Sequence, residues 1–301
     1  MAEAGELDGA GDLEDQRSPP LGRVLGVTVE AFDIWTGDEH EIADEAGDRP
    51  RLPAGWAGPD GPGIDVRTWP RSPRTGQPMV HCFTLRLPEA YRRRGPDLVA
   101  VAVFQWADEL CFTEPLPEVQ AVLAGRRADV AQPDHPFWAE LGRSRRHTQL
   151  QLADDGVASL FAMVWLDETE LSGPRVTRPT AAPELADGEV DAVHLRERYG
   201  MFGPVWLVRR DDPNAGIAPV SFPEAGNAYV EIPDRWDVFH AEHLGGTNMC
   251  PDGVREGLSP WYIEVSRLGG ISHGGDQDLA LDLDARAFLG DLTSAVLLPE
   301  A

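Results

Sequence analysis

Apolar and polar residues follow the two-residue period of β-strands over much of this chain. The segment HCFTLRL, residues 81–87, puts alternate apolar side chains on one side of an extended chain, which predicts a strand with one buried face. The run LVAVAVFQW, residues 98–106, is apolar almost throughout and predicts a central strand. Residues 147–166, HTQLQLADDGVASLFAMVWL, predict a hairpin whose second strand is deeply buried.

The same pattern recurs towards the C-terminus. Strands are predicted for GPVWLVRR (203–210), NAYVEI (227–232) and SPWYIEVSRL (259–268), and residues 276–298 predict a further strand and a closing helix. In that last strand aspartates alternate with leucines, which predicts one face in water and one in the core. The aspartates concerned are Asp276, Asp278, Asp282 and Asp284.

These elements predict an α+β fold, with largely antiparallel sheets in two related halves and a few packed helices. One of the helices is predicted over residues 116–130, and residues 49–79, rich in Pro and Gly, are expected to be an irregular surface stretch anchored by Trp56 and Trp69. Composition divides the chain into an acidic disordered tail (1–20), an N-terminal α+β half (21–171), a Pro- and Ala-rich linker (172–190) and a C-terminal α+β half (191–301).

The net charge of the chain limits the classes of molecule that it is expected to bind. The formal net charge of −25 repels nucleic acids and anionic lipids and attracts basic proteins. Every basic side chain apart from histidine is an arginine. Because no lysine is present, the chain lacks the residue required by Walker-type nucleotide-binding loops, protein kinases and pyridoxal phosphate enzymes.

No targeting segment is expected. Its first twenty residues lack the basic start and apolar run of a secretory signal, and no run approaches the roughly 18 apolar residues of a membrane span. Cys82, Cys111 and Cys250 are scattered, as is typical of free thiols. We therefore expect a soluble, cytoplasmic protein.

One motif suggests a hydrolase. Residues 270–274, Gly-Ile-Ser-His-Gly, fit the Gly-x-Ser-x-Gly pattern of a nucleophile elbow, with Ser272 as the nucleophile. That elbow requires a helix after the serine and a later histidine, whereas no histidine follows residue 274 and a strand is predicted next. A glycine-containing turn between two strands is the preferred interpretation.

A second group has the side chains of a zinc site. His240, His243, Cys250 and His273 are borderline or soft ligands within one stretch of the chain. The Leu-Gly-Gly that follows His243 would end any helix presenting the two histidines together, and Cys250 has no paired thiol. Ordinary polar or core histidines are preferred, so the sequence predicts no catalytic residue, no cofactor and no metal.

Three groups of arginines interrupt the acidic sequence. They occur in YRRRG (91–95), GRR (125–127) and GRSRRH (142–147). Pairing with local carboxylates is the simpler explanation, and a recognition patch for an anionic ligand is the alternative.

Two segments resemble a known family. The Trp-Pro and Gly-x-Pro-Met elements of residues 69–92 and the Leu-Gly-Gly element of residues 243–253 are similar to the YwqG-like family of uncharacterised bacterial proteins. The matching residues are Trp69, Pro70, Gly76, Pro78, Met79, Leu244, Gly245 and Gly246. The resemblance implies antiparallel sheets in two related halves, no agreed catalytic residues, and an immunity or accessory role near toxin-export systems.

Two functions follow as hypotheses. The first is a non-enzymatic protein-binding module, immunity-like or accessory, whose acidic surface attracts a basic protein partner. The alternative is a metal-dependent or serine hydrolase centred on His240, His243, Cys250, Ser272 and His273. A small-molecule binding protein is a third possibility, and the sequence names no ligand for it.

Overall fold

The computed structural model describes residues 29–106, 116–124, 135–154, 160–182, 200–220, 228–249, 258–271 and 279–284. Ten strands of these residues form one sheet in which every neighbouring pair is antiparallel. The strands are β1 (Ala31–Thr36), β2 (Arg51–Ala57), β3 (Val80–Arg86), β4 (Ala100–Gln105), β5 (Leu150–Asp154), β6 (Leu160–Leu166), β7 (Gly203–Arg210), β8 (His243–Leu244), β9 (Tyr262–Val265) and β10 (Leu279–Asp282).

Strands from both ends of the chain alternate within this sheet. The spatial order is β10-β9-β8-β1-β7-β2-β3-β4-β6-β5, so β1 lies between β8 and β7, and β7 lies between β1 and β2. The sheet curls into a half-barrel, and this mostly antiparallel architecture with few helices is compatible with the α+β class. A relation between two halves is not confirmed and stays a prediction.

The inner face of the curled sheet holds the largest apolar core. Alternate residues of all the strands from β10 to β6 contribute to it, among them Ile34, Phe83, Leu207 and Ile263. At about 25 cal/mol per Å² of apolar surface removed from water, burial of this cluster stabilises the fold strongly. The open side is partly closed by the chain after β3, whose Tyr91 is completely buried in the same cluster.

The outer face is covered in separate regions. Over β3–β6, a second apolar cluster includes Trp69, which lies edge-on to Phe104 at 5.1 Å and donates from Nε1 to the Met79 carbonyl. The expectation that Trp69 anchors a loop is thus confirmed. Over β1 and β7, Ile42 and Ala46 of the first helix pack against Val208.

Five short helices accompany the sheet in the described residues: α1 (Glu39–Ala46), α2 (Pro117–Leu123), α3 (Pro136–Leu141), α4 (Glu168–Ser172) and α5 (Arg235–Val238). Asp38 begins α1 with a capping box, since it accepts from the Glu41 amide while Glu41 reaches back to the Asp38 amide. The helix predicted from residue 116 is present as α2. No helix in this part of the chain is both long and apolar enough to cross a membrane.

Several strand predictions are confirmed and others are wrong. The central strand in 98–106, the hairpin in 147–166 and the strand 203–210 are present as β4, β5–β6 and β7. The irregular stretch 49–79 contains a strand, β2, and the strand predicted at 227–232 is irregular in its described residues. β3 is buried on both faces rather than one, because the Trp69 cluster covers its outer side.

The aspartates after Leu279 also differ from expectation. Asp282 and Asp284 are buried instead of facing water, and Asp282 accepts hydrogen bonds from the Ser259 amide, the Ser259 hydroxyl and the Asp284 amide. Burial raises the pKa of Asp282 above its usual value. Asp276 and Asp278 lie outside the described residues.

The Leu-Gly-Gly element is explained by close packing. Gly245 has φ +65°, and a Cβ atom there would lie 2.1 Å from the Tyr91 hydroxyl oxygen. Tyr91 donates from that hydroxyl to the Glu30 carbonyl and contacts the Leu244 carbonyl oxygen at 3.3 Å. Gly245 therefore permits the contact that closes the half-barrel.

Replacing Gly245 with alanine should destabilise the protein by about 3 kcal/mol or more, because the left-handed backbone and the clash with Tyr91 add. Urea unfolding measures this free energy. Gly47→Ala is the matched control, since Gly47 has φ +59° with no atom within 4 Å of its Cβ position. Because Gly47 combines φ 59° with ψ −131°, outside the left-handed helical region, the control should itself lose about 1–3 kcal/mol. Gly245→Ala should lose clearly more, and equal losses in the two variants would show that the Tyr91 contact is unimportant.

His81 is a buried histidine of the outer face of β3. Its Nδ1 lies 2.5 Å from the Gly58 carbonyl oxygen and its Nε2 lies 2.9 Å from the Thr84 hydroxyl. A carbonyl can only accept, so Nδ1 carries the proton and Nε2 accepts from Thr84. Complete burial lowers the pKa of His81 to about 4, and the ring is neutral at pH 7.

This depressed pKa makes stability depend on pH. As the pH falls below about 6.5, His81 becomes protonated in the unfolded chain, whereas in the folded protein it stays neutral until about pH 4. We expect His81 to reduce the free energy of unfolding by about 2 kcal/mol between pH 7.5 and pH 5. Unfolding curves of wild type and His81→Asn, compared across this interval, should diverge by that amount; parallel pH profiles would contradict the assignment.

Candidate functional site

A set of buried polar and charged side chains occupies the outer face of β7, β1, β8 and β9. Strand register brings them together: Asp33 of β1 pairs with His243 of β8, which pairs with Glu264 of β9. Arg210 of β7 lies opposite Ala31 and therefore on the same face as Asp33. We call Asp33, Arg210, Asp212, His243 and Glu264 the polar platform; all five are less than a tenth exposed.

Arg210 is the cation of this platform. Its Nη2 lies 2.8 Å from Asp212 Oδ2 and its Nη1 lies 3.4 Å from Asp33 Oδ1. It also donates to the carbonyl oxygens of His240 and Thr247. Burial opposes ionisation of Asp212, but Arg210 and hydrogen bonds from Thr247 and Asn214 outweigh it, so the pKa of Asp212 is lowered.

Glu264 is the second charged centre. Its carboxylate accepts from Asn248 Nδ2 at 2.9 Å and from the Met249 amide at 3.0 Å. His243 Nε2 lies 2.9 Å from Glu264 Oε2, although it is not aligned for a hydrogen bond. The Asn248 amide donates to the Tyr229 hydroxyl, which extends the network to the next segment.

Buried carboxylates hold loops in place throughout this region. Asp212 accepts from both the amide and the hydroxyl of Thr247, and Glu242 accepts from the amides of Ser266 and Arg267. Each carboxylate satisfies backbone donors that have no partner in the sheet. The polar platform is therefore an anchor for the loops over the sheet.

The segment 228–239 is anchored at both ends, at one by Asn214, whose own amide donates to Asp212 of the platform, and at the other by Arg210. At one end, Asn214 accepts from the Val230 amide at 2.7 Å and donates to the Val230 carbonyl at 2.8 Å. At the other end, the Arg210 guanidinium lies 4.2 Å from the centre of the Phe239 ring. The His240 ring lies 5.7 Å from that of Trp35.

Between these anchors the segment exposes large apolar side chains. Val230 is 48 % exposed, Trp236 49 % and Val238 62 %. Asp234 begins α5 in the left-handed conformation, with φ 52°, which aspartate tolerates better than most residues. Sequence reasoning missed this site because it assigned the start of the segment to a strand; the Pro233-Asp234 turn pair was the signal available.

The candidate zinc ligands lie in different surroundings. His243 is completely buried in β8, where its Nδ1 contacts the Gly245 carbonyl oxygen, and His240 is half-buried with its Nδ1 at the Glu242 carbonyl oxygen. Among the residues that the structure describes, these two rings share no hydrogen-bond or ion-pair partner. Within the described ranges, no group of three or more His, Cys, Asp or Glu side chains could hold a metal ion. Cys250 and His273 lie outside those ranges.

The Gly-x-Ser-x-Gly motif is only partly described. Gly269 has φ +64°, and a Cβ atom there would lie 1.9 Å from the Cys82 carbonyl oxygen, so the chain passes directly against β3. Its amide donates to the Met201 carbonyl. The first glycines of this cluster therefore serve close packing, whereas Ser272 and His273 lie outside the described residues.

Comparison of the chain with family models, with curated proteins and with solved structures finds no match.

Glu264→Gln should lower the free energy of unfolding by about 2 kcal/mol, because an amide group would face the donors of Asn248 and Met249. Urea unfolding measures the loss, and amide hydrogen exchange at Met249 should accelerate. Glu231→Gln provides the control, since Glu231 is exposed on the neighbouring segment. Similar stabilities for the two variants would contradict the anchoring role of Glu264.

Proposed function

We propose that this protein acts by binding another protein, without catalysis, through the segment 228–239. The observation that carries this proposal is a tryptophan half exposed on a segment whose two ends are anchored. Tryptophan is enriched among the residues that contribute most to protein–protein affinity. Val238 adds a second exposed apolar side chain in the same helix, α5.

Charge indicates the kind of partner. Glu231, Asp234 and Asp237 are exposed on the same segment, and the whole chain carries a net charge of −25. An apolar centre with an acidic surround is complementary to an apolar pocket bordered by Arg or Lys. The proposed partner is therefore a basic protein, which the long-range field would also attract.

Anchoring the segment 228–239 both fixes its position and increases its affinity for a partner. A segment that is ordered before binding loses less conformational entropy on association than a free loop does. Asn214 and Tyr229 hold its start, and Arg210 holds its end. The buried charges thus have a role in recognition although no partner would touch them.

The resemblance to the YwqG-like family indicates what kind of basic protein the partner is. An immunity-like or accessory protein in the cytoplasm would bind a basic toxin domain or a secretion component. The hydrolase hypothesis stays a prediction, because Cys250, Ser272 and His273 lie outside the described residues.

Trp236→Ser should abolish capture of the partner. Tagged protein would be isolated from its native cell extract, and co-purifying proteins identified by mass spectrometry at about 0.1 M and about 1 M salt, where screening lengths are about 10 Å and 3 Å. We expect one stoichiometric basic protein, reduced at high salt. With the purified partner, Trp236→Ser should weaken binding at least about tenfold.

Leu52→Ser is the matched control, because Leu52 is an equally exposed apolar residue (51 %) on β2. It should bind the partner as the wild type does. A wild-type protein that captures nothing, or variants of Leu52 and Trp236 with the same affinity, would overturn the proposal.

A further inference from the structure

A cleft lined by arginines lies away from the polar platform, at the turn that precedes β3. Residues 68–73 form one wall, and Arg145, Arg146 and the start of β5 form the other. It has about 380 Å³ of empty space, including the part open to solvent. Of the described residues that line it, none is acidic, in a chain with 51 Asp and Glu against 26 basic residues.

Arg71 provides a buried positive charge among the residues that line this cleft. Its side chain is 2 % exposed, and the only carboxylate with which it forms an ion pair among the described residues is that of Glu140, at 3.7 Å. Both oxygens of Glu140 already accept from Thr180, one from the amide and one from the hydroxyl. Arg71 otherwise donates to the neutral Gly76 carbonyl.

This charge is incompletely compensated. Burial lowers the pKa of Arg71 to about 10, and the nearby Arg178 acts in the same direction, while Glu140 opposes them. A buried cation is costly unless an anion lies close to it. A bound anion in the cleft would supply that compensation.

Arg145 adds a second cation at the mouth. Its guanidinium is exposed and makes no hydrogen bond or ion pair with the part of the chain that the structure describes. The carboxylate whose pKa it helps to lower, Asp65, is already held by Arg67 through both oxygens. Arg146 is fixed by donation to the Leu150 carbonyl, so its side chain stays at the cleft wall.

We propose that this cleft, formed by Arg71, Arg145 and Arg146, binds a phosphate-type oxyanion. Planar guanidinium groups match the oxygens of phosphate and form short charge-assisted hydrogen bonds with them. Thr68 and Ser72 also line the cleft, but their hydroxyls already hold the local backbone, since Thr68 donates to the Asp65 carbonyl and Ser72 accepts from the Arg74 and Thr75 amides. This site is independent of the proposed protein-binding segment, since the two share no residue.

The test uses inorganic phosphate as the probe, with the whole chain in solution. Isothermal titration calorimetry, with sodium chloride at matched ionic strength as the reference titration, should show one saturable site with a dissociation constant on the order of 1 mM. Because the net charge repels anions generally, saturation above the chloride reference requires a local positive site.

Two arginines separated by one residue provide the variants. Arg145→Gln should weaken phosphate binding at least about fivefold, because it removes a charged donor at the cleft. Arg143→Gln removes an equally exposed arginine that does not line the cleft, and should stay within about twofold of wild type. Unchanged melting temperatures without phosphate would confirm that both variants are folded.

Three results would overturn the proposal: phosphate heat no different from chloride, non-saturating binding, or equal weakening by the two variants. Titrations with a small sugar phosphate and with a serine-phosphorylated peptide then identify which kind of molecule carries the bound phosphate group. Binding of either that depends on Arg145 supports the site, and the tighter of the two shows whether the natural ligand is a metabolite or a phosphorylated chain.

Discussion

The outer half of this fold depends on buried carboxylates that accept hydrogen bonds from loop amides. A curled sheet satisfies its own backbone, but the segments that return over its outer face have donors with no strand to pair with. Asp212, Glu242, Glu264 and Asp282 each accept two or more of these donors or neighbouring side-chain donors. Removing one acceptor leaves several donors unsatisfied, so the loops are ordered together.

The two faces of the sheet are stabilised by different kinds of interaction. The inner face of the sheet is closed by apolar packing around Tyr91 and Ile263, which has no directional requirement. The outer face near β8 and β9 is fixed by directed hydrogen bonds. Apolar packing fills the inner face of the curled sheet. The carboxylates hold the segments that lie over its outer face, and Asp212, through Asn214, holds the start of the segment that carries Trp236.

Local pattern predicts much of the sheet and little of the candidate site. β4 and β6 are almost continuous apolar runs, and this composition predicts both the strands and their burial. The apolar residues 205–208 predict β7 as a strand, but the burial of Arg210 at its end does not follow from composition. β2 was missed because Pro53 and Gly55 resemble turn residues; the strand accommodates them at an irregularity in its pairing with β7.

The polar platform could not be predicted for a different reason. Asp33, His243 and Glu264 are neighbours only because of strand register across β1, β8 and β9. Their separation along the chain exceeds two hundred residues from first to last, and no local pattern encodes it. The alternating aspartates near residue 282 predict a strand face exposed to solvent. This prediction fails for Asp282 because the Ser259 amide and hydroxyl donate to its carboxylate, a contact that the sequence does not show.

The exclusive use of arginine affects both proposed sites. An arginine can be buried more readily than a lysine, because its charge is delocalised and its five donors reach several acceptors at once. Arg210 uses this capacity fully, with two carboxylates, two carbonyl oxygens and an aromatic ring around it. Arg71 is equally buried and also faces an aromatic ring, that of Phe137, but among the described residues it has only one carboxylate, at 3.7 Å, and one carbonyl oxygen. Arg210 therefore completes a structural network, whereas Arg71 keeps unused hydrogen-bond donors beside a cleft. The number of donors that already have partners thus distinguishes an arginine that anchors the fold from one that can bind a ligand.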